Sequence, residues 1–270
     1  MPPQEQAQGN GNAAPLLAGF SGVESESLAV EEKLKIAIVG EIHAGKSWFA
    51  ATAPKPIYDF DFDGRAASLA GKPGIKIKEK ATWKDVEQTL SIAKANVLQG
   101  KAHLNPRTWL FDSVNFLSRA IEDEFFNQNA GTFRTLKVGA QALRIRSGWD
   151  GVNAVQRALD YLIAEFAPLG NIILVYHERK EKDPATSTES VTKYTGDITV
   201  DPQYLAKTLS LLNDVFRVYI DYAGNYKVNC KPIQTFNCGT SMLLDKIEDP
   251  NLEAMIAKHK QRLAKEKSEK

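Results

Sequence analysis

Ile36-Ala37-Ile38-Val39-Gly40-Glu41-Ile42-His43-Ala44-Gly45-Lys46-Ser47 is the stretch that decides how the rest of this chain is read. Four apolar residues run into G-x-x-x-x-G-K-S, and a helix begins inside the motif, so loop N–H groups and a helix N-terminus can converge on a chain of phosphates. Glycine at 40 and 45 lets the backbone turn tightly and approach an anion with no Cβ in between. In this pattern Lys46 reaches the β- and γ-phosphates, and the Ser47 hydroxyl ligates Mg²⁺. Glu41, Ile42, His43 and Ala44 fill the free positions and complete the cradle for a chain of phosphates; His43 reads as an exposed loop residue.

Outward from this loop, short apolar strands alternate with helical stretches, the pattern of an α/β fold with a largely parallel sheet flanked by helices. Strands are expected at 34–39, 57–62, 108–111 and 171–176, and helices at 46–53, 83–97, 114–126 and 152–166. Thr82 with Asp85 three residues on predicts a capped helix start, with Val86, Leu90, Ala93 and Val97 along one face. Segments 215–222 and 226–229, joined through Ala223-Gly224-Asn225, predict a C-terminal hairpin.

Three further stretches carry candidate chemistry. Asp112 ends the strand Thr108-Trp109-Leu110-Phe111, where a second acid would help hold the metal. Asp59, Asp61 and Asp63 alternate along the second strand and share one side, so they are expected near or beyond its C-terminal end, with Asp61 polarising water and Asp63 the second choice. His177 follows Asn171-Ile172-Ile173-Leu174-Val175-Tyr176 and could sense a γ-phosphate.

The chain has 270 residues, 43% hydrophobic and 25% charged, enough for a substantial core without disulfides. A net charge of +1 excludes a uniformly basic coat, so any nucleic-acid contact must be local. Residues 131–157 supply such a patch: Arg134, Lys137, Arg144, Arg146 and Arg157 against the single acid Asp150, with Phe133 and Trp149 interleaved for stacking. Residues 1–32 hold five Glu and no Lys or Arg and read as a disordered acidic arm; 33–250 form the core domain; 251–270 read as a basic, solvated, fraying helical tail. Cys230 and Cys238 form no metal motif and read as reduced thiols. No signal-like or membrane-spanning run is present, so a cytoplasmic place is expected.

The order GEIHAGKS, YDFDFDG, TWLFDS, NIILVYHERK and LAKTLSLLNDVFRVYID resembles phage-encoded RecA-core P-loop ATPases of the Sak single-strand-annealing type, over about residues 34–222. The resemblance implies a RecA-like core that binds ATP and Mg²⁺, acts with single-stranded DNA and a single-strand-binding protein in recombination, and works in the host cytoplasm as a ring or filament. By position it gives Lys46 and Ser47 nucleotide and metal, Asp112 metal, Asp61 the catalytic carboxylate and His177 the sensor. RecA proteins usually carry Glu where Asp61 stands, which implies slow hydrolysis, and no separate polymerisation domain is visible. The family's DNA-binding loop would fall at 178–204, whose charges nearly cancel. Two other readings stay open: a small-molecule kinase with an Arg-rich lid, and a nucleotide-gated adaptor that binds without turnover.

Overall fold

A computed structural model describes residues 33–128, 135–138, 141–144, 148–182, 194–198, 210–232 and 238–269, with side chains outside 128–152 and 179–209. The elements are β1 (Lys35–Gly40), α1 (Lys46–Ala50), β2 (Ile57–Asp61), β3 (Ile75–Glu79), α2 (Trp83–Leu98), β4 (Thr108–Asp112), α3 (Val114–Gln128), β5 (Thr135–Val138), β6 (Gln141–Arg144), α4 (Gly148–Phe166), β7 (Asn171–Lys182), β8 (Tyr194–Ile198), β9 (Asp214–Ile220), β10 (Tyr226–Asn229), β11 (Ile247–Glu248) and α5 (Leu252–Ser268).

The main sheet runs β11-β10-β9-β1-β7-β4-β2-β3, with β8 added against the far end of β7. From β9 to β3 every neighbouring pair is parallel, and β10 and β11 turn the edge antiparallel. This is the α/β architecture expected of a RecA-like P-loop core, and β9 with β10 forms the anticipated C-terminal hairpin. Strand β3, Ile-Lys-Ile-Lys-Glu, was not expected from its sequence. It forms the outer edge, where a strand can keep its charged side chains in water.

Alternation along the central strands sorts the core into two faces. Ala37, Val39, Phe60, Trp109, Phe111, Ile172 and Leu174 pack under α2, α3 and α4. Ile36, Ile38, Leu110, Ile173, Val175, Phe216, Val218 and Val228 form the opposite face with Phe49 and Ala50 of α1 and Leu252 and Met255 of α5. Among the described residues, this second face is covered by α1 and α5. The expectation of a solvated, fraying tail is corrected for the first turns of this helix, where Leu252 and Met255 are buried, while its second half is largely exposed. Leu252 N–H donates to Thr52 Oγ1 at 2.8 Å, Asn251 caps the first turn, and Lys258 and Arg262 pair with Asp245.

Thr82 and Asp85 make the predicted capping box of α2. Val86, Leu90 and Ala93 are buried, but Val97 is 45% exposed because the last turn of the helix runs past the surface it covers. Segment 178–204, expected as a loop, is instead strand where it is described: β7 continues to Lys182 and pairs antiparallel with β8, Glu178 opposite Ile198. Strands β5 and β6 pair antiparallel, Thr135 opposite Arg144 and Lys137 opposite Ala142. The acidic arm at 1–32, Arg134 and Arg146 lie outside the described residues. Lys137, Arg144 and Trp149 stand on β5, β6 and α4 with side chains outside them.

Candidate nucleotide site

Strand β1 delivers Gly40 to the C-terminal edge of the sheet, between His177 of β7 and the continuation of β9. A Cβ at position 40 would lie 2.4 Å from the Val218 carbonyl oxygen, so the backbone approach there admits glycine alone. The loop closes with the Ala44 N–H donating to the Glu41 carbonyl at 3.2 Å, leaving Ile42 and His43 exposed at its crest. Gly45 has φ +85°, and α1 begins immediately after it with no side chain capping its N-terminus. The first N–H groups of a helix have no intrahelical acceptors, so those of α1 stand available to an anion.

Lys46 is buried, and its ammonium donates to the Glu41 carbonyl at 2.6 Å, spanning the loop. Burial pulls its pKa below the ordinary lysine value, while Asp112, Glu178, Asp63 and Glu41 oppose that shift. Ser47 Oγ donates to Asp112 Oδ2 at 2.5 Å, so the two residues assigned to the metal, 65 positions apart, are in contact. Burial raises the Asp112 pKa, Asp61 adds to the rise, and the Ser47 hydrogen bond and Lys46 work against it.

The carboxylates of β2 and the turn after it, Asp59, Asp61 and Asp63, divide into three environments. Asp59 is not at the strand's end as expected: it lies within β2, opposite Leu110 and Ile77, and is 1% exposed. Its Oδ1 has no hydrogen-bond partner, and burial, with the charges of Asp112, Asp61 and Asp63, raises its pKa to about 8. Such a group holds its proton at neutral pH. Asp61, opposite Asp112, accepts N–H groups from Gly64 at 2.9 Å and Arg65 at 3.1 Å on Oδ1, and from Ala66 at 3.2 Å on Oδ2. It therefore ties down the turn that follows β2. Asp63 is raised to about 6 by burial and by hydrogen bonding with Asp61, against the pull of the Arg65 N–H.

His177 sits beside Gly40 where β7 leaves β4, and its backbone N–H donates to Asn115 Oδ1 at 3.0 Å. Burial, Lys46 and Arg65 push its pKa down to about 4, so the imidazole is neutral at physiological pH and can exchange hydrogen bonds without carrying charge. Lys46, Ser47, Asp61, Asp112 and His177 thus share one end of the sheet, around the loop.

Several residues of this region were not singled out from the sequence. Glu178, its side chain fully buried, forms a two-pronged ion pair with Arg217 at 2.7 and 2.8 Å across the end of β1. A lone arginine inside Asp-Val-Phe-Arg-Val-Tyr-Ile was the available signal, since a charge within a buried strand needs a partner. Tyr226 reaches Gly45 from β10, and nothing local in the sequence marks it.

The donor set fits a nucleoside triphosphate with Mg²⁺. Two glycines clear the backbone, an ammonium and uncapped helix N–H groups face the loop, and Ser47 with Asp112 would hold the metal. When bound, the ion would neutralise charge on phosphate oxygens.

The family described as an AAA domain (AAA_24) matches residues 32–227. No curated protein matches the chain. Among solved structures, the chain is similar to a KaiC-like protein from the hyperthermophilic archaeon Pyrococcus horikoshii OT3. The identity is 11%, covering 78% of this chain and 83% of that one, with a TM-score of 0.42. Because the family match spans well over half of the sequence and includes the loop, Asp112 and the His177 strand, the chain belongs to the AAA domain family and is a P-loop ATPase.

Proposed function

We propose that this P-loop ATPase acts with single-stranded DNA, and with a single-strand-binding protein, in recombination or annealing, in the cytoplasm of a phage's host. The observation that carries the reading is the continuity of β7. It starts in the core, passes Gly40 at His177, and runs on to Lys182 as a ribbon with β8. A phosphate-dependent change at His177 would therefore move a two-stranded element that leaves the nucleotide site. A ribbon of this kind can track a nucleic-acid backbone, and the basic stretch at 131–157 supplies phosphate contacts nearby in sequence. Asp61 is the proposed water-orienting carboxylate, acting slowly because both its oxygens already accept backbone N–H groups. That same engagement favours a second reading, an adaptor that binds nucleotide without turning it over.

The test is ATP hydrolysis by the full chain with and without single-stranded DNA, beside Lys46→Ala. The expected result is slow turnover, raised by single-stranded DNA and abolished in the variant, since the lysine's charge-assisted contact to the phosphates is lost. Binding without turnover would select the adaptor. Turnover raised by a small hydroxyl compound instead of DNA would select a kinase.

A further inference from the structure

We infer that Tyr226 is the stacking platform for the nucleobase. The inference rests on the reading of 40–47 as a nucleotide loop. The metal and γ-phosphate end of a bound nucleotide is fixed by Lys46, Ser47 and Asp112, and Asp112 lies on β4, two strands to one side of β1. The nucleoside, attached at the other end of the phosphate chain, must leave the loop away from Asp112. Two strands to the opposite side of β1 lies β10, and its first residue is Tyr226.

Tyr226 shares a strand face with Val228, which packs in the core beside Phe49 of α1. One edge of its ring rests on Gly45: a Cβ there would be 2.9 Å from Cδ1 and 3.0 Å from Cε1. Even so, 48% of the residue is exposed, so an aromatic surface is fixed at the loop and open to a ligand. The preceding turn holds it in place. Asp221 Oδ1 accepts the Ala223 N–H at 2.9 Å and the Asn225 N–H at 2.8 Å, and the Asp221 N–H donates to the Asn225 carbonyl. A rigid ring loses little entropy on binding.

Trp48, a second exposed aromatic beside the loop among the described residues, is a poorer candidate. Its ring carries the Lys72 ammonium 3.2 Å from the centroid, and α1 contacts the Ala66–Leu69 turn, which follows β2 on the acid side.

The experiment is equilibrium binding of ATP and of inorganic tripolyphosphate, each with Mg²⁺, to the full chain and to Tyr226→Ala, Tyr226→Phe and Tyr222→Ala. Tyr222 lies on the same hairpin, fully exposed. Stacking predicts that Tyr226→Ala weakens ATP about ten-fold and leaves tripolyphosphate unchanged, while Tyr226→Phe and Tyr222→Ala bind both probes as the parent does. Equal weakening of both probes in Tyr226→Ala would show that the ring only braces Gly45 and would overturn the inference. So would unchanged ATP binding, or a Phe variant as weak as Ala. If the parent chain bound neither probe, the nucleotide-loop reading would fall, and this inference with it.

Discussion

On the β2 and β4 side of the phosphate loop, Asp59, Asp61, Asp63 and Asp112 gather with Lys46 and Arg65 as the cations acting on them, and Asp59, Asp63 and Asp112 all have raised pKa values. On the β9 side, the buried acid Glu178 is matched by Arg217 through two hydrogen bonds. Glu178 is as buried as the carboxylates of the other flank, so burial alone does not explain the difference. A matched acid holds elements together, whereas a surplus of buried carboxylate suits a place where a cation is to be received.

The largest effect separating the flanks is expected from Arg217→Ala. It would strand the Glu178 carboxylate in the core and cost about 3–5 kcal/mol of stability, measured by denaturant unfolding. If the loss stayed below about 1 kcal/mol, the β9 flank would not be held by its ion pair.

Asp59→Asn tests the other flank with the opposite sign. In the folded chain Asp59 keeps its proton to about pH 8, against 3.8 for the ordinary group. Between those values the folded state holds more protons than the unfolded one, so stability falls as pH rises, by up to about 1.4 kcal/mol per pH unit. Above about pH 8 the penalty is complete. The variant cannot ionise, so at pH 8 it should be more stable than the parent by about 2 kcal/mol or more, with the difference shrinking toward pH 4. Melting curves from pH 4 to 9 without nucleotide or Mg²⁺ measure it. A pH-independent difference would mean that Asp59 ionises normally and that its flank carries no surplus.

The smallest effect should come from the surface network on α5. Lys258 reaches Asp245 and Glu248 at 2.6 Å, but Asp245 is largely in solvent. Lys258→Ala should therefore cost less than about 1 kcal/mol and lose even that in high salt. A larger, salt-resistant loss would show that charge, and not Leu252 and Met255 in the core, fastens the helix.

What the sequence determined by itself was whatever depends on neighbours along the chain. The phosphate loop was legible because Gly40, Gly45, Lys46 and Ser47 must stand at fixed spacings within one short stretch of backbone. The α2 cap was legible because Thr82 and Asp85 bond within one turn, and the central strands because they are buried on both faces and continuously apolar. Tertiary structure alone decided what depends on strands brought together from afar. It put Ser47 against Asp112 and took Asp61 as a turn cap. It buried Asp59 within a strand whose alternation had suggested an exposed end. It paired Glu178 with Arg217 across β1 and laid Tyr226 on Gly45. It also turned a basic tail into the cover of a sheet face, because Leu252 and Met255 find their apolar partners only after α1 and the strands beneath it have assembled.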